Sequence, residues 1–132
     1  QEYQLGINAP QPEFAGAYQY VNENKASDDA VMAGWTAPGL YYAGEVDYWI
    51  AHDLTGTGST YTVDGRERYS GAEPIRSAEE LTAALNESGE TWVVLDRVTY
   101  LRQSKRTQQI LSTELRVAHR TSGVVVYTTR DQ

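Results

Sequence analysis

The chain has 132 residues, no cysteine, 40% hydrophobic and 22% charged residues, and a formal net charge of −7. That length suits one compact domain with a self-supporting core, and the composition is that of a globular protein. Disulfides, thiolate catalysis and Cys-ligated metals are excluded; no run approaches the ~18 apolar residues of a membrane span, and no secretory signal opens the chain.

Taken in order, residues 1–11 contain Gly6 and Pro10 without periodicity and read as a leading arm or linker. The remainder, 12–132, reads as a single α/β domain. Phe14, Ala17, Tyr18 and Val21 fall at i, i+3, i+4 and i+7, the stripe of a helix, with Pro12 and Glu13 suited to its first turn. Ser27-Asp28-Asp29 breaks it, and Ala30-Val31-Met32-Ala33 predicts a buried strand. Gly34 to Gly39 reads as a loop, Leu40 to Ala43 as a short helix stopped by Gly44, and Val46 to Ile50 as a second strand. Residues 54–60 form a Gly/Thr/Ser loop. Asp64-Gly65 then predicts a type I′ turn in a polar hairpin flap. Ser77-Ala78-Glu79-Glu80 is a capping box opening a helix ended by Gly89. Thr91 to Leu95 is the most convincing buried strand. A helix over Gln108 to Glu114 precedes Arg116–Arg120 and Gly123–Thr129, which read as a closing β-hairpin. This alternation predicts an α/β, three-layer Rossmann-like sandwich with a mostly parallel sheet. Met32 is the only methionine, so the chain is expected to be a processed protein or an excised piece of a longer one.

Charge is unevenly placed. Gln1 to Gly65 holds nine acids and one base, Lys25; Arg66 to Gln132 holds ten bases and nine acids. An acidic chain argues against binding nucleic acid. One basic stretch, Arg97, Arg102, Lys105 and Arg106, reads either as a solvated face or as a contact for an anion or lipid phosphate.

Ligands of open α/β sheets bind beyond the carboxyl ends of the strands. Those ends are Gly34-Trp35-Thr36, Ala51-His52-Asp53 and Asp96-Arg97. Asp96 and Arg97 are candidates for orienting a hydroxyl or clamping an anion, against the simpler reading of a helix cap with a local ion pair. His52 and Asp53, with Glu45 and Asp47 nearby, are candidates for binding a cation or for weak acid/base work, without HExxH or EF-hand spacing. His52 and His119 leave little material for a zinc site built without cysteine, and no metal or cofactor is expected. Gly56-Thr57-Gly58 lacks both the dinucleotide fingerprint and the Gly-Lys-Ser/Thr of a P-loop. Asn86-Glu87-Ser88 is a formal glycosylation sequon. Ten tyrosines and three tryptophans against one phenylalanine put a polar handle on nearly every ring. Such rings suit boundaries: a membrane-domain surface, a sugar face, or a hydrogen-bonded core rim.

The stretches Pro12-Glu13-Phe14-Ala15-Gly16-Ala17-Tyr18-Gln19-Tyr20-Val21, Leu40-Tyr41-Tyr42-Ala43-Gly44-Glu45-Val46-Asp47-Tyr48-Trp49-Ile50 and Arg68-Tyr69-Ser70-Gly71-Ala72-Glu73-Pro74-Ile75, with Ala30–Ala33, helix 78–87 and Glu90–Asp96, carry a resemblance. Over residues 12–96 the chain resembles the C-terminal extracytoplasmic domain of multi-pass membrane glycosyltransferases related to the dolichyl-phosphate-mannose protein mannosyltransferases. The resemblance implies a polyprenyl-phosphate-linked sugar donor and catalytic carboxylates in a membrane domain, so no catalytic residue is assigned here. The implied partners are a transmembrane domain of the same polypeptide and a lipid-linked sugar or acceptor; the implied location is the extracytoplasmic face of the cell membrane. Tyr42, Asp47, Tyr48, Trp49, Arg68, Tyr69 and Gly71 carry over as suspected structural or acceptor-side contacts, with an Asp47–Arg68 pair expected between strand and flap; Asp96 and Arg97 complete the candidate substrate-binding set. The alternatives are a free-standing sugar- or anion-binding module and a small hydrolase using His52 and Asp53.

Overall fold

A computed structural model describes residues 12–50, 62–68 and 70–131. The expectations for the arm 1–11, the loop 54–60, His52, Asp53 and Tyr69 fall outside the described residues. The fold is α/β. In chain order the described elements are α1 (Phe14–Asn24), β1 (Ala30–Ala33), α2 (Thr36–Ala43), β2 (Tyr48–Ile50), β3 (Thr62–Val63), β4 (Arg66–Glu67), β5 (Glu73–Ile75), α3 (Ala78–Glu87), β6 (Thr91–Asp96), α4 (Arg97–Leu101), α5 (Lys105–Glu114), β7 (Arg116–Thr121) and β8 (Val124–Thr128). Six strands form one open sheet in the order β5-β2-β1-β6-β8-β7. The first four run parallel; β8 is antiparallel to β6, and β7 to β8.

β6 is one of the two central strands, and all six of its residues are buried, the near-continuous apolar run a strand covered on both faces requires. Its side chains alternate between two cores. Trp92 and Val94 pack with Phe14, Tyr18 and Val21 of α1, whereas Val93 and Leu95 pack with Leu81 of α3 and Leu111 and Leu115 of the α5 region. The helical stripe Phe14, Ala17, Tyr18, Val21 is buried as its spacing requires. The Glu13 carboxylate caps α1 by accepting the Gly16 N–H at 3.0 Å. On α3, Ser77 Oγ accepts the Glu80 N–H at 3.1 Å, while Glu80 Oε1 accepts the Arg76 N–H at 2.8 Å. The reciprocal bond of the capping box thus reaches one residue beyond the cap.

Several elements depart from the sequence reading: α4 is a helix with no counterpart among the predicted elements, α5 begins at Lys105 rather than Gln108, and α2, β2 and β5 differ as follows. α2 starts at Thr36, although a loop is predicted through Gly39. Pro38 is tolerated in a first turn, and Gly39 lets the helix press onto its neighbours: a Cβ there would lie 2.6 Å from Val46 Cγ2 and 2.8 Å from the Tyr18 hydroxyl. Close packing, which no local pattern encodes, drives this helix. β2 is shorter than predicted, because Asp47 turns its own carboxylate onto the neighbouring strand: its Oδ2 accepts the Val31 N–H at 2.8 Å. β5 lies within the polar stretch that also carries the flap motif; it pairs only with β2, and an edge strand accommodates Pro74. The β3–β4 turn has positive φ at both Asp64 (54°) and Gly65 (78°), the geometry of a type I′ turn.

Candidate functional site

Strand β1 leads through α2 to β2 and then β5 on one side, and the chain returns through α3 to β6 on the other. The topological switch point therefore lies between the carboxyl ends of β1 and β6, where open sheets normally leave a crevice. Here side chains fill it. A Cβ on Gly34 would lie 2.5 Å from Thr99 Cγ2 and 2.8 Å from Leu95 Cδ2. Gly34→Ala is therefore expected to cost about 1–3 kcal/mol through overpacking. Thr99→Ser, which keeps the hydroxyl and deletes the methyl, should recover part of that loss in denaturant unfolding of the double variant.

Open space lies one strand over. A groove of about 720 Å³ runs beyond β6 between α4 and the β7–β8 turn, lined among others by Leu95, Arg97, Val98, Tyr100, Arg120 and Tyr127. This volume is in the range of small-molecule sites. Asp96, also in the lining, caps α4: it accepts the Thr99 N–H at 3.1 Å and the Thr99 hydroxyl at 2.7 Å. The helix-cap reading of Asp96 describes this geometry. Arg97 and Arg120 are exposed, and neither guanidinium has a carboxylate partner among the described residues. Burial pushes the Tyr127 phenol above its ordinary pKa; Tyr100 adds to the shift and Arg120 opposes it. At neutral pH, Tyr127 is thus a protonated donor at the groove wall. Two forked cations and phenolic donors around aliphatic walls can hold an anion with an apolar body.

The remaining sequence-derived candidates do not converge on this groove. Asp47 precedes β2 at the opposite, amino edge of the sheet. Tyr42 is at the α2 carboxyl end near the same edge; its carbonyl accepts the Asn22 side-chain N–H at 3.0 Å, and its ring stacks on Tyr18 at 6.3 Å. Tyr48 packs on the α3-side core with its hydroxyl 3.3 Å from Ser88 Oγ, and Trp49 packs against Ala33, Val46 and Ala72. Arg68 follows β4 and is engaged. The two edges are separated by the length of β6, roughly 16 Å at about 3.3 Å per residue. At the amino edge, Asp28, Glu45, Asp47 and Glu73 border a hollow of about 400 Å³. No group of metal-ligating side chains is assembled among the described residues.

Sequence reasoning missed Asp29, a buried carboxylate before β1. Its Oδ2 accepts the Trp92 indole N–H (2.9 Å), the Ala26 N–H (2.9 Å) and Arg130 Nε–H (2.7 Å), and its Oδ1 accepts from Arg130 Nη2 (3.0 Å). The Arg130 hydrogen bonds, chiefly, hold its carboxyl well below the usual carboxylate range against the opposing effect of burial. Ser27-Asp28-Asp29 reads locally as a helix breaker, and no nearby residue signals the clamp. The groove cations Arg120 and Arg97 are likewise united only by the β7–β8 turn, where the Arg97 N–H donates to the Gly123 carbonyl at 3.0 Å.

Neither a protein-family model, nor a curated protein, nor a solved structure matches this chain.

Proposed function

We propose that this chain is a non-catalytic, extracytoplasmic module of a membrane glycosyltransferase that uses a polyprenyl-phosphate-linked sugar, and that its groove helps position the lipid-linked donor. In this reading the domain is a three-layer Rossmann-like sandwich with a polar hairpin flap, and it works beside a transmembrane domain of the same polypeptide. The resemblance of the stretches around Tyr42–Trp49 and Arg68–Ile75 supplies the enzyme class. One observation carries the ligand class: Arg97 and Arg120, two guanidinium groups without a carboxylate partner among the described residues, stand at a groove walled by Leu95, Val98 and Tyr127. A phosphate with a hydrocarbon body matches that pairing of fork and apolar wall. The groove carboxylate, Asp96, is engaged in the α4 cap, which suits holding more than reacting.

Calorimetric titration with geranyl phosphate tests this reading. The wild-type chain should bind, and Arg97→Ala/Arg120→Ala should weaken binding more than tenfold, since charge-assisted hydrogen bonds contribute about 1.5–3 kcal/mol each. Equal affinity of the double variant overturns it. The same groove also supports a free-standing anion-binding module. That second reading wins if inorganic phosphate binds as tightly as the isoprenyl ester and the reading frame around Gln1 encodes no membrane helices.

A further inference from the structure

α4 has two sides. Facing inward, the Thr99 hydroxyl bonds Asp96 and its methyl meets Gly34, while Tyr100 packs on the core beside Leu95 and Leu111. Facing outward, Val98 and Leu101 are 55% and 57% exposed, and their spacing of three residues puts them on one side of the helix. Solvated aliphatic residues are ordinary singly; these two stand together within the densest run of cations in the chain. Arg97 and Arg102 flank them, and Lys105 and Arg106 open α5. Arg106 shares its charge with Glu79 at 2.9 Å, an exposed pair. Arg97, Arg102 and Lys105 have no carboxylate partner among the described residues.

The placement of opposite charge sharpens the pattern. Asp28, Glu45, Asp47 and Glu73 gather at the amino edge of the sheet, whereas these cations lie at the carboxyl edge. The chain as a whole carries −7, so clustered cations are what a negatively charged partner needs, and the α4 side carries them, with Glu79 there paired to Arg106. From that side the acidic edge lies beyond a Debye length of about 8 Å at physiological salt.

We infer that the outer face of α4, with the start of α5, docks on an anionic lipid bilayer, Val98 and Leu101 entering the interfacial zone while Arg97, Arg102 and Lys105 meet headgroup phosphates. Exposed aliphatics within a basic collar are the combination a bilayer interface rewards, because apolar burial and headgroup attraction add. A nucleic-acid backbone gains nothing from Val98 and Leu101, and the exposed residues of α4 include no ring on which a base can stack. The inference shares Arg97 and Val98 with the groove of the glycosyltransferase reading, and its test therefore uses Leu101, Arg102 and Lys105, which do not line that groove.

Co-flotation of the full chain with vesicles of phosphatidylcholine, with and without phosphatidylglycerol, tests the inference. The chain should float with the phosphatidylglycerol vesicles and not with phosphatidylcholine alone, and added salt should release it. Arg102→Glu/Lys105→Glu and, separately, Leu101→Asp should each lower the bound fraction at least tenfold, with unchanged circular dichroism and geranyl phosphate affinity; neither variant touches Arg120 or Tyr127. Equal flotation with both vesicle types overturns the inference. So does a Leu101→Asp chain that binds anionic vesicles and a short DNA duplex as well as wild type, which marks a general polyanion face.

Discussion

Replacing Asp29 with alanine is expected to lower the unfolding free energy by about 3 kcal/mol at neutral pH. The carboxylate is 5% exposed and joins three separate segments: the turn before β1, the first half of β6 through Trp92, and the end of β8 through Arg130. Its removal leaves the buried indole N–H unpaired, a cost of about 1–3 kcal/mol, and deletes a bidentate ion pair. The estimate stays below the upper range for broken buried pairs, because the Arg130 side chain is 36% exposed and its abandoned charge can reach water. Asp29→Asn keeps the shape but cannot accept all four bonds, so a loss of about 1–2 kcal/mol is expected. The sign of the pH dependence follows from the lowered folded pKa. The clamp's contribution is fully present above the unfolded carboxylate value of about 3.9 and is lost as pH falls toward the lower folded value. Urea unfolding of wild type and Asp29→Asn at neutral pH and near pH 3 checks this: the gap between the two should narrow in acid. A gap that does not change with pH would show that the carboxylate's charge is not what holds the three segments.

Leu111→Ala should destabilise the fold by about 3 kcal/mol, whereas Leu101→Ala should change it by less than about 0.5 kcal/mol. Both are leucines on consecutive helices, and only their surroundings differ. Leu111 is fully buried in the core shared by β6, α3 and the α5 region, so truncation leaves a cavity among Leu81, Val93 and Leu95. Leu101 is 57% exposed and contributes little to the packed interior. Denaturant midpoints of the two variants at constant slope measure the contrast. A large loss on Leu101→Ala would show that this side chain serves the fold and not a partner surface.

Of the groove, local order marks only Asp96 and Arg97; Tyr100, Arg120 and Tyr127 join them through the tertiary structure. The apolar run Trp92–Leu95 predicts that Asp96 and Arg97 stand at the end of the β6 strand, and that is where they lie. The family resemblance adds Tyr42, Asp47, Tyr48, Trp49, Arg68 and Tyr69 to the same set, because resemblance along a stretch carries no information about which edge of a sheet it occupies. Asp47 and Tyr42 fall toward the amino edge, and the Asp47 carboxylate is engaged by the Val31 amide. Gly34 shows a further limit. A strand-end glycine suggests an open crevice, yet this one admits Thr99 and Leu95 and closes it.

Taken alone, the amino-acid order determined the pieces whose causes lie within a few residues: the α1 stripe, the Ser77 cap, the Asp64-Gly65 turn, the apolar Trp92–Leu95 run of β6 and the alternation that makes the chain α/β. These depend on backbone sterics, side-chain periodicity and bonds spanning three or four residues, all readable in a short window. Only the tertiary structure decided the start of α2, the role of Pro74 in an edge strand, the Asp29 clamp and the groove beyond β6. Each depends on groups brought together across the sheet. Trp92 and Arg130 meet Asp29 from 63 and 101 residues away, and no local pattern records a contact whose partners are chosen by strand order.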